Sequence, residues 1–227
     1  MGRARRRPPP LPGRRRPVSD RAGQTYKLAS VLLQYPTMAL FEGLDRLDAA
    51  ASETRPKASR EAFERFLGWL RATPQTEVAQ HYVETFDLRR RCALYLTYAR
   101  HGDTRKRGMA LLAIKTAYRV AGFAPSDDEL PDYLPLVLDF AALAPDGGRL
   151  LRRHRADLEL LRTALHDAGT PYADLVEAVC ARLPRPGRRD LALVRRAREQ
   201  GPPEEEVGLA PFAPPEYLDG TGAGARR

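Results

Sequence analysis

Few residues in this chain are of the kinds that make and break bonds, and those few are scattered. The four histidines (81, 101, 154 and 166) and two cysteines (92 and 180) show no CxxC pair and no metal-ligand spacing. There is no HExxH helix, no nucleophile elbow and no pair of carboxylates at a recognisable catalytic spacing. These absences argue against an enzyme. A disulfide scaffold is not expected at this size, and free thiols suit a reducing cytoplasm. The segment Gly102-Asp103-Thr104-Arg105-Lys106-Arg107-Gly108 sets glycines and bases around a helix start, which is one way to hold an anion. It lacks the GxxxxGK[ST] form of a nucleotide loop, and the plainer reading is a turn capped by Asp103.

The chemistry that the pattern suits better is recognition. From Tyr82 to Tyr98 the chain mixes aromatic and charged residues: Tyr82, Glu84, Phe86, Asp87, Arg91, Tyr95 and Tyr98. Tyr82 and Phe86 are four apart, as are Arg91 and Tyr95, so each pair shares a face if the segment is helical. Such a mixture fits an amphipathic peptide helix, and it equally fits core aromatics with solvated charges. A second signal is Asp139, in the middle of the apolar run Asp132-Tyr133-Leu134-Pro135-Leu136-Val137-Leu138-Asp139-Phe140. A carboxylate there needs a partner or water. An internal salt bridge to Arg105, Arg107 or Arg119, a groove that receives a basic ligand, and simple surface exposure all meet that need.

The elements that must position these residues are helices. Leu28, Val31, Leu32 and Tyr35 share a face, and Pro36 ends that run. Thr37 caps a second helix to about Ala51, and Phe63, Phe66, Leu67 and Leu70 repeat at helical spacing. Thr73-Pro74 opens a helix carrying Val78, Tyr82, Val83 and Phe86. Another is expected over Leu88–Arg100, broken by Gly102. The next, capped by Asp103 or Thr104, has the stripe Met109, Leu112, Ala113, Thr116, Ala117 and Val120 and ends near Gly122. Ser126 and Glu129 have capping-box spacing, and 123–131 is expected to be a hinge-like connection into a central helix from Asp132 to Leu143. Leu151, His154, Leu158, Leu161 and Leu165 mark a helix stopped by Gly169. Thr170-Pro171 starts another, with Tyr172, Leu175, Val176, Val179 and Leu183 on one face, and a short basic helix follows over about 188–200. Alternating strand patterns are almost absent, and no repeat is visible. The expected class is all-α, one irregular bundle.

The ends differ from the body. Of the net charge of +9, residues 1–21 contribute +7, from eight arginines against Asp20. Residues 1–23 are Arg/Pro/Gly-rich and 201–227 Pro/Gly-rich with the acidic run Glu204–Glu206, so disorder is expected in both, flanking a helical domain over 24–200. No stretch reaches the roughly 18 apolar residues of a membrane span, and no apolar segment follows the N-terminal arginines as in a secretory signal. A near-neutral body with a basic tail is weak support for a nucleic-acid binder, which would show steeply salt-dependent binding lost on removing residues 1–21.

Four blocks in order carry a resemblance: Ser30-Val31-Leu32-Leu33-Gln34-Tyr35-Pro36; Tyr82-Val83-Glu84-Thr85-Phe86-Asp87 with Arg91 and Leu94-Tyr95-Leu96; His101-Gly102-Asp103-Thr104-Arg105 with Arg107-Gly108; and Glu129-Leu130-Pro131-Asp132-Tyr133-Leu134-Pro135. Over about 24–183 the chain resembles the nitrate reductase molybdenum cofactor assembly chaperones, the NarJ branch of the redox-enzyme maturation proteins. The resemblance implies a TorD/NarJ-type helical bundle that is a cytoplasmic chaperone and not an enzyme. Its implied partner is the apo catalytic (alpha) subunit of a nitrate reductase, held by its N-terminal leader. The implied cofactor is the client's, bis-molybdopterin guanine dinucleotide, whose insertion is assisted without stable binding. A chaperone of the same fold for another molybdoenzyme is the alternative. Tyr133 stands where relatives have histidine, and Asp139 where glutamate is usual. A leader with arginines and an apolar face calls for carboxylates beside an apolar groove. Glu84, Asp87, Asp132 and Asp139 are expected to meet the arginines, and Tyr82, Phe86, Tyr95 and Leu136 the apolar face, with Arg91 and Tyr133 alongside.

Overall fold

The computed structural model describes residues 21–200 except 127 and 146; of the tails expected to be disordered, 1–23 and 201–227, residues 1–20 and 201–227 lie outside the described residues. Among the described residues twelve α-helices run in order: α1 (Arg21–Leu32), α2 (Met38–Glu42), α3 (Leu44–Ser52), α4 (Lys57–Ala72), α5 (Gln75–Phe86), α6 (Tyr98–His101), α7 (Arg105–Val120), α8 (Leu134–Leu143), α9 (Gly147–Arg153), α10 (Arg155–Asp167), α11 (Tyr172–Cys180) and α12 (Arg188–Gln200). No strand occurs among the described residues, so the class is all-α.

The centre is a layer of α1, α8, α11 and α4. α8 is apolar on nearly every side and buries Leu134, Val137, Leu138, Phe140 and Ala141. It lies so close to α1 that a Cβ on Gly23 would sit 2.9 Å from the Ala142 carbonyl oxygen, and only glycine permits that approach. Ser30 Oγ donates to the Pro135 carbonyl at 2.8 Å, and Ser59 Oγ to the Ala178 carbonyl at 2.7 Å, each satisfying a buried backbone acceptor at a helix crossing. Phe63, Phe66, Leu67 and Leu70 of α4 face Tyr172, Leu175, Val176 and Val179 of α11, all buried as their periodicity predicts. Burying a side chain of this size contributes on the order of 2 kcal/mol.

Several boundaries depart from the periodicity. Helix begins at Arg21, inside the segment read as tail, because Ala22 and Gly23 pack on the core. Gly43 divides the second helix into α2 and α3, and His154 divides α9 from α10. The helix expected over Leu88–Arg100 is instead a 3-10 turn at Arg90–Cys92, an extended stretch and the short α6. Cys92, Leu94 and Leu96 are buried at a spacing of two, an alternation that an extended chain satisfies and a helix cannot. Ser126 bonds the Asp128 carboxylate and the Asp128 N–H in a turn; no helix starts there. The central helix starts at Leu134, with Asp132 and Tyr133 before it. The stripe on α7 has the expected spacing and the opposite orientation: Ile114 and Tyr118 are buried, while Met109, Leu112, Ala113, Thr116 and Val120 are exposed.

Candidate functional site

The extended stretch after Cys92 has a partner. Leu96 N–H donates to the Asp132 carbonyl at 2.9 Å and Leu134 N–H to the Leu94 carbonyl at 2.7 Å, on either side of an antiparallel bridge between Tyr95 and Tyr133. Alternation then sorts the side chains. Leu94, Leu96, Asp132 and Leu134 point inward, and the half-buried Tyr95 and Tyr133 lie side by side with ring centroids 5.8 Å apart.

The row continues through α5. Tyr133 lies close enough to Tyr82 that each hydroxyl influences the other. Tyr82 Oη donates to the Leu33 carbonyl at 3.2 Å, and its ring meets Tyr35 edge-on at 5.4 Å. Behind Tyr82 stand Phe86 at 4.8 Å and Tyr172 at 5.7 Å, the floor of the row. Tyr35, at the exit of α1, is 51% exposed. The sequence Tyr35–Tyr82–Tyr133–Tyr95 thus forms a shelf whose ends are open and whose centre is anchored in the core.

Carboxylates border this shelf. Tyr95 Oη donates to Glu129 Oε1 at 3.1 Å, and burial followed by the Glu129 charge pushes the Tyr95 hydroxyl up to about 12. The Asp87 carboxylate is close enough to raise both Tyr82 and Tyr133, which burial already holds above the ordinary tyrosine value. All three hydroxyls therefore stay protonated at neutral pH. Exposed Leu88 and Leu130 follow Asp87 and Glu129 in the chain. An aromatic shelf edged with carboxylates can accept a cationic, partly apolar peptide through stacking, cation–π contact and charge-assisted hydrogen bonds.

The expected residues divide accordingly. Tyr82, Phe86, Tyr95, Tyr133 and Asp87 come together. Glu84 is exposed on α5, where its charge bears on His81 rather than on the shelf. Arg91 is not on Tyr95's face, since the segment is not one helix; it borders a crevice with Ala99, Leu160, Asp167, Ala197 and Arg198. Leu136 and Asp139 lie on α8, where Asp139 takes Lys27 Nζ of α1 at 2.8 and 3.0 Å and none of the three arginines expected as internal partners. That pair stays in contact with water, at 52% and 27% side-chain exposure.

Asp132 departs furthest from expectation. It is fully buried and faces no outside partner. Its Oδ2 accepts Thr97 Oγ1 at 2.6 Å and Thr97 N–H at 3.1 Å, while Oδ1 lies 3.7 Å from Arg107 Nη2. The Arg107 guanidinium spans the Tyr95 and Tyr98 rings at 5.6 and 5.2 Å. Tyr118 Oη donates to the Pro131 carbonyl at 2.7 Å. Asp132 thus fixes the back of the shelf, through the chain's own arginine. Asp103 likewise reaches Arg107 at 3.2 Å, and Thr104 occupies the N-cap position of α7.

Sequence reasoning missed Tyr35 and Glu129 as shelf residues, and Lys27 as the partner of Asp139. Tyr35-Pro36 at a helix exit was the available signal for the first. Glu129, three residues after Ser126, reads in the sequence as a capping residue. Lys27 could have been found as a charge set among the apolar and small residues of α1.

No group of three or more His, Cys, Asp or Glu that could hold a metal ion occurs among the described residues, and no helix among them is long and apolar enough to cross a membrane.

Comparison with known proteins gives this architecture a family. Residues 52–177 match the family model described as nitrate reductase delta subunit. The nitrate reductase-like protein NarX of Mycobacterium tuberculosis is 43% identical over 161 residues, covering 68% of this chain and 24% of NarX. The probable nitrate reductase molybdenum cofactor assembly chaperone NarJ of Bacillus subtilis is 33% identical over 168 residues, covering 73% of this chain and 91% of that protein. The corresponding NarJ chaperone of Escherichia coli K12 is 32% identical over 154 residues, covering 66% of this chain and 65% of its own length. The chain thus spans about a quarter of NarX and nine-tenths of the Bacillus protein. The matched region carries Tyr82, Tyr95 and Tyr133 of the shelf, and on the strength of this match and of the Bacillus and Escherichia relatives the chain belongs to the nitrate reductase delta-subunit family, among its NarJ-like members.

Proposed function

We propose that this chain is a maturation chaperone, without catalytic activity of its own, for the catalytic alpha subunit of a nitrate reductase. It binds the N-terminal leader of the apo subunit in the cytoplasm and keeps that subunit open for insertion of bis-molybdopterin guanine dinucleotide. The observation that carries the reading is the tyrosine shelf edged by Asp87 and Glu129, in a chain whose Bacillus and Escherichia relatives are named as molybdenum cofactor assembly chaperones. The leader's arginines meet the two carboxylates, and its apolar face lies on Tyr35, Tyr95 and Tyr133. Asp132 acts from behind, by holding Tyr133 and Tyr95 in register. The cofactor is cargo of the client.

A synthetic peptide of the client's leader, titrated into the full chain at low salt, tests this. Replacing both carboxylates (Asp87→Asn with Glu129→Gln) is expected to weaken binding at least 10-fold, about 1.4 kcal/mol. Asp139→Asn, on the other patch, is expected to leave it unchanged. Equal affinity for the double variant and the natural chain would overturn the shelf as the leader site. In cells, deletion of the protein should leave the nitrate reductase alpha subunit present and deficient in molybdenum; a fully loaded subunit would remove the chaperone role.

A further inference from the structure

α7 bears a second surface, different in kind from the shelf. Its apolar stripe faces solvent, with Met109 69%, Leu112 54% and Val120 83% exposed. The stripe borders a groove of about 550 Å³, lined by Ala113, Thr116 and Val120 of α7, Phe140 of α8, and Leu150 and Arg153 of α9. An apolar face of this kind on a folded domain marks a place for another segment. Its charge says which kind. α7 carries Arg105, Lys106, Arg107, Lys115 and Arg119 and no acidic residue. Lys106 and Arg119 are exposed beside the stripe. A leader rich in arginine is repelled here. The occupant must be apolar and acidic.

This chain contains such a segment. Residues 203–219 read Pro-Glu-Glu-Glu-Val-Gly-Leu-Ala-Pro-Phe-Ala-Pro-Pro-Glu-Tyr-Leu-Asp, with five acidic residues and no basic one. Val207, Leu209, Phe212, Tyr217 and Leu218 supply the apolar groups. Four prolines suit an occupant that lies extended in a groove at small entropic cost. Its length is sufficient. α12 packs on α10, and α10 touches α9, the wall of the groove. Phe212 lies twelve positions beyond Gln200, a reach of roughly 40 Å, against a radius of gyration of about 16 Å for a domain of this size.

We propose that residues 204–219 fold back onto α7 as an intramolecular cover, with Leu209 and Phe212 on the stripe and Glu204, Glu205 and Glu206 toward its cations. The cover shields the apolar face from water. It is independent of the leader-binding shelf.

Hydrogen exchange on the full chain tests it. Replacing Val207, Leu209 and Phe212 together by serine is expected to speed amide exchange across 109–120 about 5-fold or more, with α4 and α11 unchanged. Equal exchange in the two proteins overturns the proposal. A second measurement locates the cover. In the full-length double variant Leu112→Cys with Phe212→Cys, mild oxidation at micromolar protein is expected to give a disulfide within one chain, because native Cys92 and Cys180 are buried. A disulfide found only between chains assigns the surface to a second copy and overturns the intramolecular cover, as does the absence of any crosslink.

Discussion

α7 and α8 follow one another in the chain and use their apolar residues in opposite ways. α8, with ten residues, buries six of them. α7, with sixteen, buries only Ile114 and Tyr118, and its most regular apolar stripe looks outward. Only the inner face of α7 is anchored, by Tyr118 on the Pro131 carbonyl and by Arg107 between Tyr95, Tyr98 and Asp132. Periodicity reports that a helix has two unlike faces. It does not report which face the rest of the molecule covers. The difference separates a helix that holds the domain together from one that is held by it.

The sharpest way to break this contrast is by truncation in α8. Leu138→Ala is expected to lower stability by about 3 kcal/mol, read from the urea midpoint at unchanged slope, since the side chain is fully buried. A loss below about 1 kcal/mol would mean that α8 is not central.

The anchor between the two helices comes next. Asp132→Ala leaves Thr97 without its acceptor and Arg107 without its buried counter-charge, at a cost on the order of 2–3 kcal/mol. Exchange should rise through 105–120 first and leave α8 protected. Uniform loosening of both helices would dissolve the distinction drawn between them.

Acid should act more weakly and on a third region. Burial lowers the pKa of His81, which packs between Trp69 and Tyr172 and lies 2.7 Å from Thr170 Oγ1, and burial followed by Arg100 lowers that of His101. A lowered value in the folded state means that the unfolded chain takes up more protons as pH falls. Stability is therefore held above about pH 6.5 and lost progressively below it. His81→Asn should flatten that slope in denaturant titrations between pH 7 and 5; an unchanged slope would assign the acid sensitivity elsewhere.

The smallest effect is expected on the outer face of α7. Leu112→Ala should change stability by no more than about 0.5 kcal/mol, measured as for Leu138→Ala. A loss equal to that of Leu138→Ala would place the stripe inside the folded core.

Much of this was legible beforehand. The bundle, the faces of α4 and α11, and the grouping of Tyr82, Phe86, Asp87, Tyr95 and Tyr133 follow from spacing and from the four blocks. What escaped did so for physical reasons. Cys92, Leu94 and Leu96 alternate over too few residues to outweigh helical neighbours. Asp132 and Asp139 look alike in sequence, yet one is fully buried on Thr97 and the other meets water and Lys27. Which carboxylate is covered depends on segments 35 and 112 residues away, and local pattern carries no record of them.

The close seating of Gly23 against α8 has a consequence for biosynthesis. The surface that α1 needs is made more than a hundred residues later, as the Lys27–Asp139 and Ser30–Pro135 contacts make plain. At roughly 5–20 residues per second, the ribosome leaves α1 without that surface for on the order of ten seconds. Throughout that interval the apolar side of α1 is open to the nascent chain's surroundings, and what shields it must come from outside the finished fold.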